Sequence, residues 1–173
     1  MQISSLFDSN PERWKIRLAG LLEFLREYGE KRITLRGCRV LARLTPEQLS
    51  QPGVSLLAAT VRGQNGRQLA GVSFVSGFGK EACLVAVHPL YRNRRTGTAR
   101  QTAQLERPGT LEGTVASDNA ASLKMCFNTG LVAVALNRGP TGKPTLLLRS
   151  PLHPASLPTN LLQEGELLCQ NPS

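Results

Sequence analysis

Arg92, Arg94 and Arg95 crowd together just ahead of Gly97 in VHPLYRNRRTGTARQ, residues 87–101. Apolar residues suited to a strand precede them, and residues able to start a helix follow. Like charges this close repel unless an anion lies among them. A basic, glycine-containing turn that leaves a strand and opens a helix offers an anion free backbone N–H groups and a positive dipole end. Gly97 lets the backbone come close to a ligand, and Ala99 keeps the first helical turn small. The same turn also fits an ordinary strand-to-helix connection with a solvated rim. A second segment, VASDNAASLKMCFNTGL over 115–131, ends a strand and opens a helix, which sets Asn119 beside the sheet edge. Its amide both donates and accepts hydrogen bonds, although helix capping is the commoner use of asparagine there.

The elements that must position these residues are written in the periodicity. Asp8, Ser9 and Asn10 before Pro11 mark a helix start, and Trp14, Leu18, Leu21, Leu22, Leu25 and Tyr28 then form one apolar stripe as far as Glu30. Residues Cys38–Leu44 read as a short strand, and TPEQLS as a capped single turn. SLLAATVRG and RQLAGVSFVSG flank QNG, whose Asn-Gly step is a strong hairpin signal. EACLVAV, apolar on both faces, reads as a central strand. TGTARQTAQLER forms a short helix ended by Pro108 and Gly109, and TLEGTVAS a strand. The next helix is capped by Ser117 or Asp118, carries Ala120, Leu123, Cys126 and Phe127 on one face, and stops at Gly130. LVAVALN and PTLLLRS are strands joined by RGPTGK. This loop is a hairpin turn and not a phosphate loop, because Pro144 removes an N–H where a phosphate cradle needs one.

The order predicts a single α+β domain with a mixed central sheet and helices on both faces. Residues 1–30 hold the amphipathic helix and 31–150 the sheet domain. Residues 151–173, punctuated by Pro151, Pro154, Pro158 and Pro172, are expected to be a flexible tail.

Composition limits the partners. The 173 residues are 40% hydrophobic and only 5% aromatic, so the core is aliphatic; the net charge is +9 and the pI near 10.1. That balance favours an anionic partner such as nucleic acid, an acidic surface or a phosphorylated small molecule. The N-terminal arginines with Arg36, Arg39 and Arg43 form a second basic region, for which a solvated face is the commoner reading and help to an acidic acceptor the other. Cys38, Cys83, Cys126 and Cys169 form no Cys-x-x-Cys pair, and His88 and His153 are the only histidines, so no metal site is expected. His88, next to Pro89 at a strand end, reads as structural. The N-terminus lacks the pattern of a signal peptide, and no apolar run approaches the roughly 20 residues that span a bilayer. A soluble cytoplasmic protein without membrane contact is expected.

Taken together, the two segments resemble the GCN5-related N-acetyltransferase (GNAT) superfamily of acyl-coenzyme A transferases, in a short bacterial or phage-type form. Its fourth strand runs into an Arg/Gln-x-x-Gly-x-Gly/Ala turn, matched by Arg94, Arg95, Thr96, Gly97, Thr98 and Ala99, with VHPLYRN as a similar lead-in. Its later pattern is matched by Asn119, Ala121 or Ser122, Phe127 and the Gly130-Leu131 pair. The sharp part of the resemblance runs from Glu81 to Leu131, and the element order extends it over about 39–149.

The resemblance implies a mostly antiparallel sheet and acetyl-coenzyme A as co-substrate, with no metal. The turn at 94–99 would bind the pyrophosphate, and Arg92, Arg94, Arg95 or Arg100 the outer phosphate. The pantetheine arm would pair with the backbone of Val85, Ala86 and Val87, with Asn119 and Ser122 on its other side. Glu81, six residues before Val87 on the same strand face, looks like the family's strand-four glutamate and is the first candidate base; Glu112 is the second. Phe127 stands where many members carry the tyrosine that protonates the leaving thiolate, and Tyr91 is not an obvious substitute. The leading expectation is acetyl transfer to a primary amine by direct attack in a ternary complex. The alternatives are a non-catalytic coenzyme A sensor or scaffold, and a basic nucleic-acid-binding accessory protein. The positive surface disfavours polycationic acceptors. It suits an amine on an anionic carrier, an aminoacyl group on nucleic acid, or a protein N-terminus.

Overall fold

The computed structural model describes residues 2–63, 66–92 and 111–151. The expected turn at 94–99, the short helix after it and all but the first residue of the tail therefore lie outside the described residues.

Among the described residues, two antiparallel sheets and three α-helices make up the fold. Strand β1 (Gln2–Ser5) is followed by helices α1 (Pro11–Tyr28) and α2 (Leu35–Ala42). Then come β2 (Ser55–Gly63), β3 (Gly66–Ser76), β4 (Ala82–Val87), β5 (Glu112–Ala116), α3 (Ala120–Asn128), β6 (Val132–Arg138) and β7 (Pro144–Arg149). One sheet has the order β1-β2-β3-β4 and the other β5-β7-β6. The expected α+β class, antiparallel pairing and helices on both faces are present. The central sheet, however, is divided between β4 and β5.

Helix α1 begins where its capping residues dictate. The Asn10 Oδ1 accepts from the Glu12 and Arg13 N–H groups at 3.0 and 3.1 Å, and Pro11 occupies the first turn. Its stripe buries Trp14, Leu18, Leu21, Phe24 and Leu25, and the Trp14 Nε1 donates to the Leu44 carbonyl at 2.8 Å.

Residues 38–44, expected as a strand, instead belong largely to α2. Val40, Leu41 and Leu44 have helical spacing, Thr34 Oγ1 caps the helix by accepting from the Gly37 N–H at 3.1 Å, and Leu41 and Leu44 are buried. Gly37 lets α2 lie directly on β4, since a Cβ there would sit 2.6 Å from Leu84 Cδ2. Strand β1 was not foreseen, for its polar QISS carries a single apolar residue; it pairs antiparallel with β2 along that strand's outer edge.

The hairpin expected around QNG forms, with Gly63 opposite Gly66. Leu56, Val72, Phe74, Leu84 and Ala86 face α1 and α2. On the opposite face a smaller core joins Val75, Leu111, Cys126, Leu131 and Leu148 around α3, with Cys83 packed against it. Thus β4 is covered on both faces as its sequence demands, yet among the described residues it is the last hydrogen-bonded strand of its sheet. The expectation of a central strand is corrected in that respect.

Candidate active site

The site lies along β4, and its two ends are fixed differently. At the start, Gly77, Phe78 and Gly79 form a tight turn with φ of 57°, 56° and 95°. Phe78 is the costly member, since left-handed backbone is unfavourable for a residue with a Cβ. The glycines are demanded by contact as well. A Cβ on Gly79 would stand 1.7 Å from the Glu112 carbonyl oxygen, and one on Gly77 would stand 2.8 Å from Glu81 Cγ. The turn thereby pins the start of β4 to the start of β5 and folds Glu81 back over it. The buried Ser76 hydroxyl donates to the Glu81 Oε2 at 2.5 Å. Ser76 was missed in the sequence; the Ser-Gly-Phe-Gly run ahead of a glutamate is the signal that marks it.

Glu112, the second candidate base, lies at the start of β5 and accepts from the Arg149 Nε at 2.7 Å, with 18% of its side chain exposed. Its carboxylate is held in a cross-strand ion pair, opposite Arg149 in the β5-β7 register.

At the far end of β4, Arg92 spends its guanidinium on the protein. Nε donates to the Val87 carbonyl at 3.0 Å, one terminal nitrogen to the Tyr28 carbonyl at 3.3 Å, and the other pairs with Glu30. The end of β4 is thus tied to the end of α1. His88, as expected, has a structural part, its Nδ1 accepting from the Leu90 N–H at 3.2 Å.

Between these ends the backbone of β4 has one engaged and one unladdered edge. His88 donates its N–H to the Ala70 carbonyl, so Ala86, Leu84 and Ala82 direct their backbone groups at β3. Val87, Val85 and Cys83 direct theirs the other way, toward β5. The Val87 carbonyl is taken by Arg92, and among the described residues no ladder joins β4 to β5. Val85 therefore presents an N–H and a C=O to the gap, while the backbone of Ala86 faces β3.

Across the gap, Asn119 caps α3, its Oδ1 accepting from the Ser122 N–H at 3.2 Å. The expected cap, Ser117 or Asp118, is corrected by this bond. Asp118 instead accepts from Arg32 at 2.9 Å and from the Lys143 Nζ at 2.6 Å, and these bonds, Lys143 first, hold its carboxyl below the usual aspartate value. Phe127 lies off the buried face of α3, 47% exposed. Arg94, Arg95, Thr96, Gly97, Thr98 and Ala99 lie outside the described residues.

Beside Glu81 opens a cleft of about 700 Å3, walled by α2 and the segment after it on one side and by Ser76, Gly77 and Glu81 on the other. Its size is that of a small-molecule or peptide site. Among the described residues no group of three His, Cys, Asp or Glu is arranged to hold a metal, and no helix is long and apolar enough to cross a membrane.

No family model and no curated protein matches the sequence. Solved structures do resemble the fold. A ribosomal-protein alanine N-acetyltransferase from Escherichia coli is 17% identical with a TM-score of 0.58, over 87% of this chain and 93% of that one. A spermidine N-acetyltransferase from Vibrio cholerae gives 10% and 0.53, over 87% and 94%. An aminoglycoside acetyltransferase solved with coenzyme A gives 16% and 0.54, over 87% and 94%. The chain has the GNAT acetyltransferase fold.

Proposed function

We propose that this chain transfers an acetyl group from acetyl-coenzyme A to a primary amine held in the same ternary complex. The parted edge of β4 carries the proposal: Val85 offers an N–H and a C=O to a gap that no strand fills among the described residues, which suits the amides of a pantetheine arm. Likeness in fold to acetyltransferases, one of them solved with coenzyme A, supports the same reading.

Residues 94–99, expected from the sequence to form a turn, bind the pyrophosphate through backbone N–H groups, with Arg94 and Arg95 supplying charge. Arg92 is a positioning residue, holding the end of β4 against α1. Ala86 and Val87 complete the strand that the arm follows. With its oxygen committed to the Ser122 N–H, Asn119 has its NH2 to donate to the arm. The arm then runs past Val85 toward Cys83, and Glu81 lies about 7 Å farther along the strand.

At that end the amine nitrogen attacks the thioester carbonyl, and a C–N bond forms as the C–S bond breaks. Glu81 takes the amine proton and releases it to solvent, while the departing thiolate is protonated by water, since Phe127 has no proton to give. Ser76 holds the Glu81 carboxylate in place. Glu112, ion-paired to Arg149, is the weaker candidate for the base. A second reading, coenzyme A binding without turnover, draws on Phe127.

The test is calorimetric titration with acetyl-coenzyme A beside the Arg94→Ala, Gly97→Glu double variant. Micromolar binding lost in the variant, with coenzyme A thiol released when an amine is added, is the expected result. Binding without thiol release in the presence of any amine selects the second reading, and absence of binding overturns both.

A further inference from the structure

Resting on the acyltransferase reading, the cleft beside Glu81 narrows the acceptor. Arg36, Arg39 and Arg43 recur on α2 and its C-cap at spacings of three and four, which places them on one face, and all three line the same cleft as Glu81. They span about 10 Å of helix. Among the described residues none of them has an ion-pair partner, although Arg17, Arg26, Arg32, Arg92 and Arg149 each have one. Glu81 is the acidic residue of the lining, and its carboxylate is bonded to Ser76 and to none of the arginines.

Helix stability accounts for Arg39 and Arg43, in the last turn and at the C-cap of α2 where the dipole favours a cation, but not for Arg36. Arg36 sits in the first turn of α2, where the helix dipole disfavours a cation, and that turn has no acidic residue. Three adjacent guanidinium groups also repel one another across a cleft whose described lining holds a single carboxylate. Both costs are offset when the cleft holds an anion. A lone carboxylate or phosphate meets one guanidinium, whereas a stripe of about 10 Å matches an extended chain whose same-side residues recur every ~7 Å.

We propose that the cleft receives the free N-terminus of an acidic peptide or protein segment, with its amine at Glu81 and its side-chain carboxylates on Arg36, Arg39 and Arg43. A polyamine acceptor is repelled by the same arginines.

The experiment uses the full chain and two synthetic peptides with free N-termini, one with Asp and Glu at alternate positions and a twin with Asn and Gln. Transfer of labelled acetyl gives KM. Fluorescence anisotropy of the N-acetylated acidic peptide, which cannot react, gives Kd independently of turnover. At low salt the acidic peptide is expected to have a KM about tenfold below its twin's. Arg39→Gln narrows the difference, and the triple Arg36→Gln, Arg39→Gln, Arg43→Gln variant abolishes it. Raising the salt to 0.3 M shrinks it.

Equal KM values for the twins overturn the inference while transfer itself survives. So does a lower KM for spermidine, or displacement of the bound peptide by an oligouridylate at a lower concentration than by the peptide itself. Arginine-dependent binding without transfer to any amine leaves the peptide site standing and removes the transferase reading beneath it.

Discussion

Glu81 and Cys83 are two residues apart in the chain and differ in what they can do. Glu81 is exposed, held by a hydroxyl and open to the cleft. Glu81→Gln keeps an acceptor for Ser76 and removes the proposed base. Its kcat/KM is expected to fall about a hundredfold with acetyl-coenzyme A affinity unchanged, as steady-state kinetics beside calorimetry will show. Cys83 packs into the smaller core, where burial first and neighbouring Cys126 second push its thiol up to about 12. It is therefore a thiol and not a thiolate at neutral pH, and alkylation at pH 8 is expected to modify it only as fast as the protein unfolds. The sign of the linkage follows. The unfolded thiol titrates near 9.0, so the native state holds the proton longer, and stability falls as pH rises from about 9 toward 12. Cys83→Ala flattens that alkaline limb in urea midpoints.

At the scale of elements, the turn at 77–79 does the most to assemble the site, because it brings the starts of β4 and β5 together. Gly79→Ala puts a Cβ into the Glu112 carbonyl and strains a positive φ, and is expected to destabilise by about 3 kcal/mol. Gly142→Ala, also at positive φ but in open space, is expected to cost about 1 kcal/mol. Urea titration of the two variants separates contact from conformation. Asp118 links two other segments, Arg32 after α1 and Lys143 in the β6-β7 turn, to the start of α3. Its lowered pKa contributes stability that is present above the usual aspartate value of 3.8 and is lost as pH falls below it. Asp118→Asn is expected to shift the acid unfolding midpoint upward.

Elements defined by local chemistry were legible in the sequence: the Asn10-Pro11 start, the hairpin around QNG, and Gly130 ending α3. Those decided by tertiary contact were not. Helix α2 is short enough for its apolar residues to fit either period, and only the approach of Gly37 to Leu84 settles it. Strand β1 exists because β2 had an unpaired edge, which its own four residues do not announce. Of the site, the acidic residues and β4 could be read directly. The cleft that sets Arg36, Arg39 and Arg43 beside Glu81 depends on how α2 lies across the sheet, and no motif encodes that.

For the whole molecule, the division between β4 and β5 governs behaviour. Among the described residues the two sheets meet through the 77–79 turn and through the packing of Cys83 near Gly113, without a shared ladder. A ligand laid in the gap supplies bonds to the backbone that the fold leaves unmade. Saturation with acetyl-coenzyme A at 100 times its Kd is expected to stabilise the chain by about 2.7 kcal/mol, read as a rise in Tm, and to slow amide exchange at Val85 and Cys83. Under the proposed function, the bound thioester is then a splint as well as a reagent. In a cell the emptied form is the one that opens and meets proteases, so the amount of this protein tracks the supply of its own co-substrate.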